Sequence, residues 1–273
     1  MTIETINPKT WCPGCFNFQI LSGLKNAMSK QLETKKKEDF AIVTGIGCHA
    51  KIFDYINLNG INTLHGRVLP TTLGLKIANP NLNVLAFSGD GDAYSEGMEH
   101  LIHAARFNAN VKYFIHNNQV FALTVGQPTP TTELYFKDKT TPLGVQLKPL
   151  NPLKIMLAAN ASFVARVYAD SKQVEWVIEE ALKHKGFAFV EIIQPCLIFH
   201  SDQGFKERTY MIENHDSSSM EAAMKKVDEF DYNNKNKIPM GIFYKKERVT
   251  LEELHPLTKE MLIKKTTLKD IKR

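Results

Sequence analysis

The ten residues "NVLAFSGDGD", Asn83 to Asp92, decide the fold of this chain. The first seven form a continuous apolar run of strand length, and the run ends at Gly89. Asp90 then stands between two glycines, which allow a backbone to approach a phosphate closely. Gly-Asp-Gly on its own is also a common tight turn, so its meaning depends on the segments around it.

Predicted strands and helices alternate around this stretch, from about residue 40 to residue 120. Apolar runs predict strands at residues 40–45, 61–66, 83–89 and 111–117, and periodic segments predict helices at residues 16–32, 51–57, 70–79 and 96–108. This alternation indicates βαβ units, and therefore an α/β fold with a parallel sheet and helices on both faces. Ligands of such sheets bind beyond the carboxyl ends of the strands.

The second half of the chain extends the sheet and then changes character. Residues 126–152 are rich in proline and threonine without periodicity, which predicts a long irregular loop of the kind that is often functional. The elements predicted after it are a strand at residues 161–169, a helix at 171–185 and a strand at 186–196. From Phe199 we expect an irregular C-terminal extension with one ordered patch at 238–244. We thus predict an α/β domain over residues 1–198 and an extension over 199–273 that packs on it.

Composition excludes several classes of protein. The chain has 273 residues, 43% of them hydrophobic and 23% charged, as in an ordinary soluble protein. No apolar run approaches the roughly 18–20 residues of a membrane helix, and the N-terminus lacks the apolar core of a signal peptide, so we expect a cytoplasmic protein. The net charge of +5 lies largely in runs typical of solvated surface, without the interleaved aromatic residues that nucleic acid binding needs. A positive surface leaves an acidic protein partner open.

The sequence contains four cysteines, two of them in the segment "TWCPGC". Cys12 and Cys15 could form a redox dithiol, half of a zinc site or half of an iron–sulfur site. Four is the number of thiolates that a tetrahedral zinc or an iron–sulfur cluster requires, and Cys48 and Cys196 complete that number. Any one of them could also be a free buried cysteine, so the residues alone leave these alternatives open.

A second group of polar residues follows two apolar strands. A carboxylate such as Asp90 beside a diphosphate suggests magnesium, which prefers oxygen ligands, and the following helix offers free N–H groups to an anion. Asn118 lies 28 positions later, just beyond the end of a neighbouring predicted strand. Gly-Asp-Gly, 25 residues and then Asn-Asn resembles the thiamine diphosphate motif. That resemblance implies that Asp90, Asn118 and the carbonyl of Val120 hold Mg²⁺ against the diphosphate.

The full set of motifs resembles the β subunit of the two-subunit 2-oxoacid:ferredoxin oxidoreductases. "WCPGC", "GIGC", "HGR", "GDGD", "IHAAR", "NN" and "PTPTT" occur in that family's order, over about residues 10–200, and "IPMGIFY" extends the match to about residue 245. The resemblance implies a thiamine diphosphate-binding fold with thiamine diphosphate, Mg²⁺ and one [4Fe–4S] cluster. The implied cluster ligands are Cys12, Cys15, Cys48 and Cys196.

The same resemblance assigns residues to the cofactor and the substrate. The implied cofactor-lining residues are Ile46, Gly47, Cys48, His49, His65, Gly89, Gly91, Asp92, Ala122 and Leu123. His65 would act as a catalytic residue facing the diphosphate or pyrimidine, although a satisfied buried histidine is the alternative. Lys51 would meet the substrate carboxylate, which favours 2-oxoglutarate over pyruvate, whereas an exposed lysine at a helix start is the alternative. His100 and His103 lie within a predicted helix, and we interpret both as structural.

The resemblance implies the coenzyme A-dependent oxidative decarboxylation of a 2-oxoacid to an acyl-CoA and carbon dioxide, with electrons passed through the cluster to ferredoxin. In that family the glutamate that activates thiamine comes from an α subunit, so we predict an obligate αβ complex. A non-redox thiamine decarboxylase or carboligase subunit, or a zinc-stabilised α/β binding module, are the alternatives. Phe16 and His49 depart from the family pattern, which has glycine and a small residue at these positions.

Overall fold

The computed structural model describes residues 3–200 and 204–270, and its centre is an eight-stranded sheet. The strands are β1 (Phe40–Thr44), β2 (Asn59–Asn62), β3 (Asn83–Gly89), β4 (Val111–Asn117), β5 (Val120–Phe121), β6 (Gln127–Pro128), β7 (Phe163–Tyr168), β8 (Ala188–Ile193), β9 (Thr209–Met211) and β10 (Ile238–Lys245). The order in the main sheet is β2-β1-β3-β4-β8-β7-β10-β9, and β5 and β6 form a separate two-stranded ribbon. All pairings in the main sheet are parallel except that of β7 with β10.

Helices cover both faces of this sheet, as predicted. They are α1 (Asn17–Gln31), α2 (Ile52–Tyr55), α3 (Val68–Ala78), α4 (Met98–Phe107), α5 (Pro152–Ala158), α6 (Ser171–Lys183), α7 (Phe205–Arg208), α8 (Met220–Val227), α9 (Leu251–Leu254) and α10 (Pro256–Lys264). Helix α6 shows why these segments fold as they do. Asp170 caps it by accepting hydrogen bonds from the first turn, and its apolar stripe at helical spacing is buried beside α1.

The central strands are buried along their whole length because helices cover both faces of the sheet. Every residue of β1, β4, β7 and β8 is buried. One hydrophobic core lies on the side of α1 and α6, and a second lies on the side of α3, α4, α5 and α8. Burial on both faces is the usual state of a parallel sheet and favours strands that are largely apolar, and β3 and β4 have the predicted bounds.

The register of the sheet brings the predicted motifs to one edge. Gly89 at the end of β3 pairs with His116 near the end of β4. The segments after these two strands, which contain Asp90 and Asn118, therefore leave the sheet side by side. The turn after β1, with Cys48, leaves from the neighbouring strand. The candidate cofactor-binding and metal-binding residues therefore lie together at the carboxyl edge of the sheet.

The prediction of an irregular C-terminal extension is wrong. Residues 204–270 contain two strands of the main sheet and four α-helices, and the ordered patch predicted at 238–244 is most of β10. β9 has only three residues and shows no hydrophobic period. In α8 the apolar residues Met220, Ala223, Met224 and Val227 do recur at helical spacing, so the sequence carries a helix signal there. The boundary near residue 198 stays a prediction, and residues 1–2, 201–203 and 271–273 of the predicted domains lie outside the described structure.

Two further predictions shift by a few residues. The edge strand predicted at 61–66 is β2, which begins at Asn59 and is exposed along its length, so it lacks an apolar signal. The helix predicted from Pro70 begins at Val68. The loop at 126–152 is irregular apart from β6 and the start of α5, as predicted. None of the helices in the described part of the chain has the length and apolar character needed to cross a membrane.

Candidate functional site

A cavity of about 70 Å³ opens at the carboxyl edge, beyond β1, β3 and β4. All residues that the sequence assigned to the thiamine cofactor or to Mg²⁺ line this thiamine cavity: Ile46, Gly47, Cys48, His49, His65, Gly89, Asp90, Gly91, Asp92, Asn118, Val120, Ala122 and Leu123. Three lining residues were missed, His116, Phe121 and Thr124. His116 lies within the apolar run of β4, and its place just before the two asparagines was the available signal.

Asp90 supplies the carboxylate of the predicted magnesium site, and it is almost completely buried. It is 1% exposed, and its Oδ2 accepts hydrogen bonds from Thr129 Oγ1 at 2.5 Å and Thr131 Oγ1 at 3.1 Å. Burial raises the pKa of Asp90 to about 6, although these hydroxyl groups favour the ionised form. A divalent cation beside this carboxylate would offset its desolvation, so the position suits a metal ligand.

Asn118 lies against Asp90 on the adjacent segment. Its backbone N–H donates to Asp90 Oδ1 at 3.4 Å, and its own Oδ1 accepts from the N–H of Val120 at 3.1 Å. Gln119 between them has a φ of 62°, so the chain makes a tight turn that presents Asn118 beside the carboxylate. Carboxylate, amide and main-chain oxygens are the donors that Mg²⁺ prefers, and the set fits it on that ground.

Asp92 and His49 form a second buried pair in the thiamine cavity. Asp92 Oδ1 accepts from the N–H of Gly66 at 2.6 Å, and His49 Nε2 lies 3.7 Å from Asp92 Oδ2. Burial raises the pKa of Asp92 and lowers the pKa of His49 well below its usual value, so His49 is neutral. Any side chain at Gly45 would overlap the Asp92 carboxylate, so glycine is required there.

His65 is not the satisfied buried histidine that the sequence left as an alternative. Its side chain is 32% exposed and lines the thiamine cavity. Its Nδ1 lies 3.0 Å from Glu96 Oε2 and 3.9 Å from Asp92 Oδ1. The Phe121 ring, 6.0 Å from the His65 ring, occupies the space that a side chain at Gly91 would need. The catalytic role of His65 stays a prediction.

A second cavity, of about 60 Å³, is lined by all four cysteines and is called the cysteine cavity below. The four thiols are free. Burial raises the pKa of Cys15 and raises that of Cys48 to about 11, and neighbouring thiols add to both shifts. The four thiols therefore lie near one another around a single cavity. Within residues 3–200 and 204–270, no three His, Cys, Asp or Glu side chains are arranged to bind a single metal ion.

The surroundings of the cysteine cavity are largely apolar. Trp11 is buried there, donates from Nε1 to the carbonyl of Cys48 at 2.6 Å, and packs edge-on against Tyr55. Phe16, which replaces the glycine of the family pattern, packs its ring edge-on against Tyr168 at 5.6 Å. The apolar wall shields three partly buried cysteines, while Cys12 is exposed. Four thiols around one such cavity suit an iron–sulfur cluster, whose potential depends on solvent exposure.

The two cavities adjoin. Cys48, Asn118 and Ala122 line both of them. Lys51 lines only the cysteine cavity, where its Nζ donates to the carbonyl of Thr10 at 3.1 Å, so the structure does not bring it together with His65. His100 contacts Arg67 on the surface, and His103 packs against Phe107 within α4.

Comparison with known proteins shows the family to which this chain belongs. The family model described as "Thiamine pyrophosphate enzyme, C-terminal TPP binding domain" matches residues 45–192, and the model for the C-terminal part of the "Pyruvate ferredoxin oxidoreductase beta subunit" matches residues 200–260. The 2-oxoacid:ferredoxin oxidoreductase subunit beta of Saccharolobus solfataricus is 37% identical over 260 residues, which are 89% of this chain and 84% of that protein. The chain belongs to the β subunits of the 2-oxoacid:ferredoxin oxidoreductases.

Two further relatives bear on the substrate of this β subunit. The 2-oxoglutarate synthase subunit KorB of Archaeoglobus fulgidus is 37% identical over 212 residues, 74% of this chain and 78% of that protein. A solved 2-oxoglutarate:ferredoxin oxidoreductase from Magnetococcus marinus, with 2-oxoglutarate, coenzyme A and succinyl-CoA bound, is similar with a TM-score of 0.88 and 34% identity. That match covers 97% of this chain and 90% of the solved one. The β subunit is therefore part of an oxidoreductase with the predicted thiamine diphosphate-binding fold.

Proposed function

We propose that this β subunit works with an α subunit to decarboxylate a 2-oxoacid oxidatively, forming an acyl-CoA and passing electrons to ferredoxin. The proposed metal ligands are Asp90, Asn118 and the Val120 carbonyl for Mg²⁺, and Cys12, Cys15, Cys48 and Cys196 for one [4Fe–4S] cluster. Each 2-oxoacid gives up an electron pair, and the electrons leave singly to oxidised ferredoxin. We place the reaction in the cytoplasm.

The observation that carries this proposal is the shared wall of the two cavities. Cys48 lines the thiamine cavity as well as the cysteine cavity, so a cluster ligand would lie at the cofactor itself. A zinc-stabilised binding module has no use for that contact, and neither has a non-redox thiamine enzyme. A cluster that accepts electrons beside the bound cofactor would account for the position of Cys48 in both cavities.

The chain's own residues would bind and shield the cofactor. When bound, thiamine diphosphate supplies the electron-sink chemistry that releases carbon dioxide, and the cluster accepts electrons one at a time. Asp90 would anchor the diphosphate through Mg²⁺, while the lack of a side chain at Gly91 leaves room for the Phe121 ring in the cavity wall. Phe121 and the other apolar lining residues would exclude water from the bound cofactor, and neutral His49 adds no charge to the cavity.

The α subunit is needed for the reaction. No residue that lines the thiamine cavity, within the described structure, is a glutamate, and thiamine activation needs a carboxylate against the pyrimidine ring. In the proposal that carboxylate comes from the partner. The apolar side chains exposed around both cavities, among them Leu123, Leu197 and Ile198, give an α subunit a surface to cover.

The substrate we favour is 2-oxoglutarate over pyruvate. Two of the relatives carry 2-oxoglutarate in their names, and Lys51 offers a cation at the edge of the cysteine cavity. The side chain of Lys51 must turn from the Thr10 carbonyl to reach a substrate carboxylate. A Lys51→Met variant should therefore raise the KM for 2-oxoglutarate more than the KM for pyruvate.

The test is anaerobic purification of the αβ complex, followed by metal analysis and assay of ferredoxin reduction with 2-oxoglutarate and with pyruvate. We expect brown protein with about four irons per β subunit, and electron transfer to ferredoxin that requires coenzyme A. A Cys48→Ser variant should lose the iron, whereas the control Ser29→Ala, on the exposed side of α1, should keep it. Colourless protein with one zinc, or turnover that leaves ferredoxin oxidised, would overturn the proposal.

A further inference from the structure

Two buried side chains join the thiamine cavity to the cysteine cavity, and neither belongs to the predicted site residues. His116 lines the thiamine cavity and Asn17, the first residue of α1, lines the cysteine cavity. Each is 1% exposed. His116 Nδ1 lies 2.7 Å from Asn17 Oδ1, although the two residues are 99 positions apart in the chain. This hydrogen bond links the wall of the thiamine cavity to the wall of the cysteine cavity.

Asn17 contacts a cysteine directly. Its Nδ2 donates to Cys15 Sγ at 3.5 Å. Gln194 Nε2 is the next side-chain donor, at 3.9 Å from the same sulfur. Asn17 is therefore the closer of the two amide groups that contact this thiol.

The orientation of the Asn17 amide depends on His116. If the amide were rotated by half a turn, its oxygen would face the sulfur of Cys15, and two acceptors would repel each other. A neutral His116 with its proton on Nδ1 donates to Asn17 Oδ1, which leaves the NH₂ group to face the sulfur. His116 Nε2 has no hydrogen-bond partner in the residues that the structure describes, so the ring is free to hold that tautomer.

A hydrogen bond to a cysteine ligand changes the potential of an iron–sulfur cluster. The reduced cluster carries one more negative charge than the oxidised cluster, and an N–H donor to the thiolate stabilises that charge. A donor therefore raises the reduction potential. One such bond, worth about 1.4 kcal/mol more to the reduced form, changes the ratio of reduced to oxidised cluster about tenfold.

We propose that Asn17 raises the reduction potential of the cluster by donating to Cys15, and that His116 is the positioning residue that holds the Asn17 amide in this orientation. This inference rests on the proposed function, because it needs the four cysteines to hold a cluster. It gives the segment "CFN" and the histidine of "IHNN" a role that their motifs do not state.

The test measures the midpoint potential of the cluster in the anaerobic αβ complex, by redox titration followed with electron paramagnetic resonance. Asn17→Leu removes the donor at similar volume, and the ratio of reduced to oxidised cluster at a fixed potential should fall about tenfold, a shift of about 59 mV for a one-electron couple. His116→Phe should lower the potential in the same direction, because the Asn17 amide is then free to rotate. Ser29→Ala, a matched control on α1, should leave the potential unchanged.

A conservative variant separates positioning from simple packing. His116→Asn keeps an amide donor near the place of Nδ1, and it should restore most of the potential that His116→Phe loses. If Asn17→Leu fails to retain the cluster, the pair His116→Phe and His116→Asn carries the same test. Full iron content with an unchanged potential in Asn17→Leu, or in His116→Phe where Asn17→Leu cannot be measured, would overturn this inference and leave the proposed function intact. Absence of iron from the unmodified complex would overturn the proposed function itself.

Discussion

The two edges of the sheet both bury charged groups, yet they treat them differently. At the carboxyl edge, polar atoms are left without hydrogen bonds, among them His49 Nε2, His116 Nε2 and Gln194 Oε1 within the described residues. At the amino edge, Lys112 Nζ donates to Asn110 Oδ1 and to the carbonyls of His184 and Gly186, at 2.6 to 3.1 Å. Polar atoms at the first edge are available to ligands, whereas the Lys112 amine at the second edge is fully bonded within the protein.

The amino-edge network ties the end of the chain to the sheet. Both carboxylate oxygens of Glu252, in α9, accept from the backbone N–H of Asn110, at 3.0 and 3.2 Å. Lys76 Nζ lies 3.8 Å from Glu252 and donates to the carbonyls of Pro80 and Leu82. His184 Nδ1 is the exception, since it has no partner among the described residues. Paired charges of this kind stabilise a structure only while every partner is present.

This difference indicates that the amino edge contributes to the stability of the fold and that the carboxyl edge binds the ligands. Buried polar groups that make all their hydrogen bonds stabilise the folded chain. Buried polar groups without partners are destabilising until a ligand forms hydrogen bonds with them. Mutations at the amino edge should therefore affect unfolding, and mutations at the carboxyl edge should affect cofactor binding.

The largest effect on stability should come from Glu252→Gln at the amino edge. The substitution leaves Lys76 facing a neutral amide in a buried site, and we expect it to lower the free energy of unfolding by about 4 kcal/mol. Urea unfolding of the β subunit in its complex measures this. The affinity for thiamine diphosphate, measured below the unfolding transition, should not change; a large loss of affinity with normal stability would contradict the comparison.

At the carboxyl edge, Asp90→Asn should weaken the binding of thiamine diphosphate and Mg²⁺ by more than about 100-fold, since loss of a metal ligand exceeds the usual loss for an outer partner. Calorimetry of the αβ complex with the cofactor measures this. The cofactor-free protein should be at least as stable as before, because a desolvated carboxylate is replaced by a neutral group. A marked loss of stability without loss of affinity would place Asp90 with the structural residues.

Lys112 makes the amino edge sensitive to pH. Burial, with Lys76 nearby, lowers the pKa of Lys112 to about 7 in the folded chain, against 10.5 for the ordinary group. Between these values the unfolded chain binds the proton that the folded chain has released, so stability rises with pH by up to about 1.4 kcal/mol per unit. From about pH 7.5 to 9 we expect a rise of about 2 kcal/mol.

The Lys112→Met variant supplies the comparison for that measurement. It retains Lys76, whose pKa burial also lowers, so both proteins should gain some stability as the pH rises. Unfolding of each protein at several pH values should show a steeper rise in the protein with Lys112. An equal slope in both would show that Lys112 does not titrate in this range.

The smallest effect should come from Asp228→Asn on the surface. Asp228 pairs with Lys154 at 2.7 Å, but both side chains are about half exposed. The solvent screens this pair, and the loss in unfolding free energy should stay below about 1 kcal/mol. The measurement is the same urea titration as for Glu252→Gln, for which it serves as the exposed control; a loss comparable to that of Glu252→Gln would show that burial does not separate the two networks.

The sequence predicts the central sheet and the members of the thiamine cavity well, for a physical reason. Strands buried on both faces are continuous apolar runs, so β3 and β4 have clear ends, and the motif residues follow those ends. A parallel sheet then brings the motif residues to one edge without any further information. Their roles as ligands stay predictions.

Other features could not be predicted because they depend on side-chain direction or on distant contacts. Nothing in the spacing around Lys51 shows that its side chain lies in the cysteine cavity. The contact between Asn17 and His116 joins segments 99 positions apart and leaves no local pattern. The three-residue strand β9 is too short to show a period, so its sequence resembles that of an irregular segment.

The place of β10 in the sheet has a consequence for synthesis of the chain on the ribosome. β10 is paired on both sides, by β7 and by β9, and residues 169–237 separate it from β7 along the chain. Until β10 emerges, β7 is an open edge whose residues are apolar apart from Arg166, and such an edge pairs readily with other chains. A nascent chain that pauses in this interval is therefore prone to aggregate, and the last strand of the sheet ends that risk.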